Sequence, residues 1–289
     1  MGVSAPLNPD AEASVEWTVH SGRRRQRRLR YLQKAIEASY ATVLQVIPFG
    51  RLTIELLRVA EVDSLLDRLP KVQFRSDERL PYWADLWPSS LALARYLWQR
   101  VDLQGLEVLE LGCGLGLAGV IACRKGATVT FTDYEADALA FARYNALRND
   151  CDGAVVRHLD WHAPTLGRTY AAVIASDVFY ERANFLPLLH LLKTALAPHG
   201  DFILAEPNRP IARDFFRMLR DHGFQYERST AQIDMDAQRH EVSIYHGRRE
   251  DTPHGSDREP LRREMRRPCT AEAFTAKGRQ HRGPERAGK

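Results

Sequence analysis

Three acidic side chains stand where successive strands of this chain should end. Glu110 begins the glycine-rich stretch "ELGCGLG", and Asp133 and Asp160 each close a later hydrophobic run. Asp133 comes 23 residues after Glu110, close to the spacing of about 20 residues at which nucleotide-binding folds place a ribose-binding acid. A carboxylate there can accept hydrogen bonds from both ribose hydroxyls. The spacing favours a nucleoside-type ligand, although a helix-capping Asp133 and a surface turn at Asp160 remain simpler alternatives.

The glycine-rich turn follows a buried strand and opens a helix. Its small residues (Gly112, Gly114 and Gly116) let the backbone approach a ligand and leave amides pointing at it. The dinucleotide fingerprint G-x-G-x-x-G would require glycine where this chain has Leu117. The observed pattern is acidic-x-G-x-G-x-G, and a tight turn without a ligand is the alternative.

A regular alternation of strands and helices must position these residues. Buried strands are predicted at "LEVLELG", "ATVTFTDY", "AVVRHLDW", "YAAVIASDVFY" and "DFILAEP". Amphipathic helices lie between most of them, and "QYERSTAQI" and "HEVSIYHGRR" close the series as a β-ribbon. This order predicts an α/β fold, with a mostly parallel seven-stranded sheet, an antiparallel last strand and helices on both faces.

Composition divides the chain into four parts. Residues 1–30 hold six arginines against three acids, and residues 250–289 hold ten Lys or Arg against seven acids. We expect a disordered basic tail at 1–30 and a disordered, polar tail at 250–289. Residues 31–78 are interpreted as a helix and β-hairpin extension, and residues 79–249 as the ligand-binding domain. An arm that binds nucleic acid or a partner is the alternative for the arginine run.

Charge and composition disfavour several function classes. Residues 31–249 carry a net charge of about −2, whereas an enzyme that acts on nucleic acid usually has a basic groove on its folded body. The four cysteines show no paired short spacing, and His158, His190 and His199 lack partners at metal-ligand spacing. No apolar run approaches the ~20 residues that cross a bilayer. We therefore expect a cytoplasmic protein without a metal site.

The glycine pattern resembles motif I of the class I S-adenosylmethionine-dependent methyltransferases. This resemblance implies a Rossmann-like fold and S-adenosyl-L-methionine as the cofactor. Glu110 would help to hold the methionine ammonium, partly through water, and the three glycines would pass the methionine and ribose. Asp133 would bind the ribose, while Asp160 and Trp161 would meet the adenine.

A second resemblance concerns the methyl acceptor. The fourth strand ends in "ASDVFYE", and the stretch "PYWADLWPSS" lies upstream. The form D-x-x-Y joined to a Trp-Pro segment resembles the family-16 group of seven-β-strand protein lysine methyltransferases over about residues 50–249. One branch of that group methylates the β subunit of electron transfer flavoprotein. The resemblance implies Asp177 and Tyr180 as catalytic residues, Trp83 and Phe179 as substrate contacts, and Trp87 and Ser176 as further cofactor contacts.

A lysine acceptor would explain why aromatic residues gather before the turn. Aromatic faces attract an ammonium group by about 0.5–2 kcal/mol and pack the aliphatic stem of lysine without hydrogen-bonding its nitrogen. Trp83 and Trp87, with Tyr82 in support, would form a lid, although rings that only cap the core are the alternative. Asp177 would orient the amine and Tyr180 would fix its geometry, since alignment can contribute about 7–11 kcal/mol.

Other functions remain open at this stage. The preferred function is methylation of an exposed lysine on a protein substrate, by an enzyme that need not be more than a monomer. A small-molecule N-methyltransferase would need a closed pocket, and a non-catalytic cofactor-binding interaction protein would form no methylated product. A histidine acceptor is also open, because an imidazole nitrogen would need similar positioning. RNA methylation is supported only by the arginine-rich ends of the chain.

Overall fold

The computed structural model of this 289-residue chain describes residues 22–62, 65, 81–249 and 278–279. The N-terminal part consists of helix α1 (Gly22–Glu37) and a hairpin of strands β1 (Thr42–Phe49) and β2 (Leu52–Val59). The strands that follow are β3 (Glu107–Leu111), β4 (Thr128–Asp133), β5 (Val155–His158), β6 (Tyr170–Ser176), β7 (Leu196–Glu206), β8 (Phe224–Met235) and β9 (Gln238–Arg249). The helices that follow are α2 (Pro88–Arg100), α3 (Leu117–Arg124), α4 (Ala136–Arg148), α5 (Phe185–Ala195) and α6 (Ala212–Asp221).

A seven-stranded sheet in the order β5-β4-β3-β6-β7-β9-β8 forms the centre of the fold. Neighbours from β5 to β7 are parallel, and β9 runs antiparallel to both β7 and β8. The predicted α/β fold with an antiparallel last strand is therefore confirmed. After β3 the chain moves outward to β4 and β5 and then returns to the other side of β3 as β6. Such a reversal opens a crevice at the carboxyl ends of the strands, where ligands bind in this class of fold.

Alternating side chains of the sheet pack into two core layers, one on each face. In β3, Val108 packs with residues of α2, α3 and α4, whereas Leu109 and Leu111 pack with residues of α5 and α6. Strand side chains alternate between faces with a period of two. Helices thus cover both faces, and the strand ends are held at a fixed edge.

The N-terminal extension is latched onto α4 by a buried amide. Asn145 is fully buried; its Oδ1 accepts the N–H of Leu57, and its Nδ2 donates to the carbonyl oxygens of Leu57 and Leu115, at 2.7, 3.0 and 2.9 Å. Leu115 belongs to the glycine-rich turn. Strand β2, α4 and the turn are therefore tied together by one side chain whose polar groups are satisfied.

The arginine run is helical from residue 22. The sequence predicts disorder to residue 30, but Arg25 on the first turns of α1 donates to the carbonyl oxygen of Leu147 at 2.6 and 3.1 Å. This contact with the end of α4 gives the basic segment a surface to fold against, so the prediction was wrong there. Residues 1–21 lie outside the described residues, as does the predicted C-terminal tail except residues 278–279, a short strand beside β1.

A membrane-spanning helix is absent from the part of the chain that the structure describes. No helix there combines the required length with sufficient apolarity.

Candidate functional site

Asp133 joins the first two strand ends of the site. Its Oδ2 accepts the backbone N–H of Gly114 at 2.9 Å, and its Oδ1 accepts the N–H of Glu135 at 3.0 Å. Burial raises the pKa of the Asp133 carboxyl, and the backbone N–H groups of Glu135, Gly114 and Tyr134 oppose that rise. Each carboxylate oxygen keeps a further lone pair, so the group can still accept from a ligand hydroxyl.

Gly112 marks the closest approach between the glycine-rich turn and the third strand end. Its φ is +59°, and a Cβ at this position would lie 2.9 Å from Cγ1 of Val178 and 3.2 Å from the ring of Trp161. Only glycine adopts this backbone region freely and leaves that space open. The turn, the Trp161 ring and the segment after β6 therefore meet at one point.

Gly114 and Gly116 differ in what surrounds them. A Cβ on Gly114 would lie 3.3 Å from the backbone oxygen of Trp83, whereas one on Gly116 would lie 3.2 Å from both Ala142 and the ring of Phe131. Gly116 caps α3 with a left-handed backbone. Its surroundings indicate close packing of α3 against β4 and α4, while Gly112 and Gly114 border the open edge.

Glu110 lies beneath the first turn of α3. The side chain is 3% exposed, its Oε2 approaches Gly119, and the backbone N–H of Gly119 is a hydrogen-bond donor to the carboxyl. Burial is the main cause that raises the pKa of Glu110 to about 8, with smaller contributions from Gly119, which lowers it, and Asp133, which raises it. Among the described residues Oε2 has no hydrogen-bond partner. Glu110 thus supports the turn from below.

Asp160 and Trp161 follow β5 and are half-buried. Oδ1 of Asp160 accepts the N–H of His162 at 2.8 Å, which fixes the turn. The indole Nε1 of Trp161 is buried and finds no acceptor among the described residues. A buried N–H without an acceptor is unfavourable by about 1–3 kcal/mol, so this donor marks a place where a ligand acceptor would fit.

Two predicted substrate contacts pack against core residues. The Trp83 ring packs against Tyr40 and Phe141, with centroid distances of 5.5 and 5.4 Å. Phe179 is 1% exposed and stacks on Phe215 at 4.4 Å. A ring as enclosed as that of Phe179 presents no face to a substrate, so the substrate-contact prediction for Phe179 was wrong. Trp83 is only half-buried, and its substrate contact stays a prediction.

Three neighbouring rings at the site, those of Tyr82, Trp87 and Tyr180, form what we call the aromatic rim. Tyr82 and Tyr180 are 47% and 37% exposed, with ring centroids 5.8 Å apart. Trp87 is half-buried, lies 6.1 Å from the Tyr82 ring and donates its indole N–H to the Tyr82 carbonyl oxygen at 2.7 Å. Sequence reasoning gave Tyr82 only a supporting role, because its exposure depends on the tertiary fold.

Tyr180 lies near two of the strand-end acids. Burial raises the pKa of Tyr180 to about 12, and Glu181, Asp133, Tyr82 and Asp177 contribute to the same rise in that order. A phenol with this pKa keeps its proton and can donate a hydrogen bond at ordinary pH. The Tyr180 hydroxyl therefore lies in an environment to which Asp133 and Asp177 contribute negative charge.

Asp177 is ion-paired with an arginine that sequence reasoning missed. It follows half-buried Ser176 at the end of β6 and has a left-handed backbone with φ +62°. Its Oδ1 pairs with the guanidinium of Arg209, while its buried Oδ2 has no hydrogen-bond partner among the described residues. Arg209 also contacts Oε1 of Glu206 at 3.3 Å. The sequence signal that could have predicted this pair is the acid and arginine in "AEPNRP", since this stretch ends a strand at the same edge of the sheet.

The arrangement fits S-adenosyl-L-methionine. Gly112 and Gly114 leave the main chain open for close approach, and Asp133 offers carboxylate lone pairs for ribose hydroxyls. The indole N–H of Trp161 and Oδ2 of Asp177, both without a hydrogen-bond partner in the described parts of the chain, lie on loops that follow β5 and β6. A nucleoside with polar groups on both sides is the kind of ligand that these residues suit.

Comparison with known proteins agrees with this geometry. A family model described as lysine methyltransferase matches residues 70–222. EEF1A lysine methyltransferase 3 of Mus musculus is 35% identical over 185 residues, which cover 61% of this chain and 77% of that protein.

Two further relatives match shorter parts. The histidine protein methyltransferase 1 homolog of Dictyostelium discoideum is 31% identical over 127 residues, or 42% of this chain and 41% of that protein. The electron transfer flavoprotein beta subunit lysine methyltransferase of Xenopus laevis is 32% identical over 135 residues, or 45% and 53%. This chain thus spans about half the length of these two relatives. The family match covers more than half of the chain, and the chain therefore belongs to the lysine methyltransferase family, whose cofactor is S-adenosyl-L-methionine.

Proposed function

We propose that this protein transfers a methyl group from S-adenosyl-L-methionine to the side-chain nitrogen of a lysine in a protein substrate. The observation that carries the proposal is the buried Oδ2 of Asp177, which has no hydrogen-bond partner among the residues that the structure describes. Asp177 and the exposed Tyr180 lie on the same loop after β6. A long aliphatic side chain that ends in an amine suits an aromatic entrance with a carboxylate oxygen behind it. The names of two relatives, which act on EEF1A and on electron transfer flavoprotein, support a protein acceptor.

The cofactor side of the site is assigned to the first three strand ends. Asp133 would accept from the ribose hydroxyls, and the main chain of Gly112 and Gly114 would border the methionine and ribose. Asp160 and Trp161 would contact the adenine, and Ser176 would border the methionine portion. Glu110 would act through water and through the turn that it supports.

When bound, S-adenosyl-L-methionine would supply an electrophilic methyl group, with a bond formed to the acceptor nitrogen and the electron pair of the broken carbon–sulfur bond left on sulfur. The protein's contribution is alignment, worth about 7–11 kcal/mol in well-oriented reactions. Oδ2 of Asp177 would accept an N–H of the amine, and Tyr180 would donate its hydroxyl to fix that geometry. The amine proton leaves to solvent before transfer, past the exposed rings of Tyr82 and Tyr180.

The aromatic rim accounts for recognition of the acceptor. Tyr82 and Tyr180 meet edge to face at 5.8 Å, and Trp87 adjoins Tyr82. Their faces can pack lysine methylenes and attract an ammonium by about 0.5–2 kcal/mol. The exposure of both tyrosines supports an entrance open to a protein side chain, in contrast to the closed pocket expected for a small metabolite.

A histidine acceptor is the second candidate, because one relative is named as a histidine protein methyltransferase. An imidazole nitrogen could accept the methyl group in the same position.

We further propose that the protein works as a monomer in the cytoplasm. The free cysteines Cys113, Cys123 and Cys151 support a reducing compartment.

The test is labelling of lysate proteins from the source cells with purified protein and cofactor that carries a radioactive methyl group. We expect a protein band whose label survives nuclease and is lost on protease treatment, and mass spectrometry should place the methyl group on lysine. Methylhistidine would support the second candidate. Label only in RNA or in low-mass material would overturn the proposal.

Two variants control this experiment. Asp177→Asn should abolish or strongly reduce the label while cofactor binding is retained. Arg217→Met should label at the wild-type rate, because Arg217 is 73% exposed and its recorded contact is with Asp214 on the same helix.

A further inference from the structure

The loop after β7 is pinned by the antiparallel ribbon. Asn208 has a left-handed backbone with φ +65°, and its Nδ2 donates to the carbonyl oxygen of Glu241 at 3.0 Å. Its Oδ1 accepts the hydroxyl of Ser243 at 2.5 Å and the guanidinium of Arg228 at 3.0 Å. Strands β8 and β9 therefore fix the loop from which the next residue, Arg209, extends.

Arg209 bridges two carboxylates. Behind it, Glu206 is 1% exposed and receives both the Arg209 backbone N–H at 2.9 Å and a guanidinium contact at 3.3 Å. In front of it, the guanidinium pairs with Oδ1 of Asp177. One oxygen of Glu206 accepts the Arg209 backbone N–H, and the other contacts the Arg209 guanidinium. Glu206 therefore fixes the guanidinium that pairs with Asp177.

This bridge leaves one oxygen of Asp177 for the acceptor. The Asp177 side chain is 9% exposed, and its Oδ2 is buried without a hydrogen-bond partner among the described residues. The left-handed backbone of Asp177 is unfavourable for a non-glycine residue and persists only where the surroundings hold it. Its N–H donates to the carbonyl oxygen of Ala205 at 3.0 Å, and Arg209 holds the side chain.

The charge of the bridge bears on the chemistry of transfer. An isolated carboxylate beside the acceptor would stabilise the ammonium form, in which the nitrogen lone pair is occupied by a proton. The Arg209 guanidinium on the other oxygen is shared with Glu206, so it offsets part of that charge while the hydrogen-bond acceptor stays in place. With Arg209 in place, Asp177 can still position the amine by a hydrogen bond but stabilises the unreactive ammonium form less.

We propose that Arg209 is a positioning residue for methyl transfer, which holds Asp177 with Oδ2 toward the acceptor nitrogen and offsets part of the charge of that carboxylate. The inference rests on the proposed function. One guanidinium nitrogen, Nη1, contacts both carboxylates, so a lysine ammonium should reproduce the bridge only in part.

The experiment compares Arg209→Ala, Arg209→Lys and the control Arg217→Ala on the acceptor protein found by lysate labelling. Misplacement of a reacting group by about 1 Å can lower a rate by about 10²-fold, so we expect that loss in kcat for Arg209→Ala. The dissociation constant of S-adenosylhomocysteine and the acceptor KM should change by no more than about twofold. Arg209→Lys should retain an intermediate kcat, and Arg217→Ala should match wild type.

Two readouts separate positioning from general support of the fold. Guanidinium chloride, at concentrations that leave wild type folded, should raise the kcat of Arg209→Ala and not that of Arg217→Ala. In a double-mutant cycle, Arg209→Ala combined with Asp177→Asn should be no slower than Asp177→Asn alone, because Arg209 acts through Asp177. If Arg209→Ala does not fold, Arg209→Gln takes its place in both measurements.

The outcomes distinguish this inference from the proposed function. A wild-type protein that labels no lysate protein would overturn the proposed function. A wild type that labels an acceptor, with Arg209→Ala or Arg209→Gln equally fast or with additive losses in the cycle, would overturn the inference about Arg209 alone.

Discussion

The backbone N–H of Gly114 lies 2.9 Å from Oδ2 of Asp133. This hydrogen bond links the turn after β3 to the end of β4, so the carboxylate both shapes the turn and faces the edge of the sheet. The two oxygens of Asp133 receive different backbone donors, since Oδ1 accepts from Glu135 at 3.0 Å. A change at Asp133 should therefore alter the turn and the proposed ribose contact together.

We expect Asp133→Asn to weaken cofactor binding. The asparagine amide has one oxygen, so either the N–H of Gly114 or that of Glu135 would face an N–H group. A ribose hydroxyl of the bound cofactor that meets an N–H group instead of an acceptor loses about 1–3 kcal/mol, which corresponds to roughly a tenfold to hundredfold rise in dissociation constant. Titration calorimetry with S-adenosylhomocysteine measures it. Asp152→Asn, in the turn after α4, is the control, and equal affinities of the two variants would contradict the ribose assignment.

Gly112→Ala should weaken cofactor binding, whereas Gly105→Ala, with similar backbone strain, should not. Gly112 and Gly105 both have positive φ, +59° and +72°, but a Cβ meets Val178 at 2.9 Å in the first case and nothing within 4 Å in the second. Each alanine should lower the free energy of unfolding by roughly 1–2 kcal/mol through φ alone. Only Gly112→Ala should also raise the dissociation constant of S-adenosylhomocysteine, by about tenfold or more. Calorimetry on the two variants separates strain from crowding at the turn.

Tyr180→Phe should lower kcat without changing cofactor affinity. Burial and nearby negative charge raise the pKa of Tyr180 to about 12, so its hydroxyl stays protonated and acts as a donor. Loss of that donor should reduce kcat by about tenfold to hundredfold, whereas Tyr31→Phe, at a 71% exposed position on α1, should have no effect. The pH profile of kcat should show no tyrosine ionisation below about pH 10. An alkaline limb below that pH that disappears in Tyr180→Phe would contradict this assignment.

Glu110→Gln should remove a pH-dependent loss of stability. Burial raises the pKa of Glu110 from 4.5 to about 8, so its contribution to stability is full below pH 4.5 and is lost as the pH rises toward 8. The uncharged glutamine should stabilise the cofactor-free protein relative to wild type increasingly across this window. The difference should reach on the order of a few kcal/mol at pH 8.

Urea unfolding of both proteins at several pH values measures this difference. Glu107→Gln, at the exposed start of the same strand, is the control and should show no such trend. A difference between wild type and Glu110→Gln that stays constant from pH 5 to 8 would contradict a raised pKa at Glu110.

The sequence was sufficient for features that depend on local order. The alternation of strands and helices and the antiparallel last strand follow from hydrophobic periodicity, which short stretches of chain carry by themselves. Glu110, Asp133 and Asp160 could be assigned to strand ends for the same reason. The glycine pattern fixed the turn, because only glycine enters the left-handed region freely.

The structure alone decided which side chains are enclosed and which are paired. Trp83 and Tyr82 are neighbours in the chain, yet one ring packs on Phe141 and the other is 47% exposed. The helix from Gly22 likewise contacts a distant segment, through the hydrogen bonds of Arg25 to the end of α4. Burial and contacts of this kind depend on surfaces that distant segments of the chain supply, and the local sequence pattern does not predict them.

The pairing of Asp177 with Arg209 illustrates the same limit. The two residues are 32 positions apart and meet because β6 and β7 are parallel neighbours whose carboxyl ends share one edge. The sequence by itself determined that this edge would carry acids, glycines and aromatic residues for a methyl-transfer cofactor. Only the tertiary structure decided that Asp177 has a guanidinium on one oxygen and that Tyr82 rather than Trp83 is at the rim, because burial and ion pairing are properties of the assembled fold.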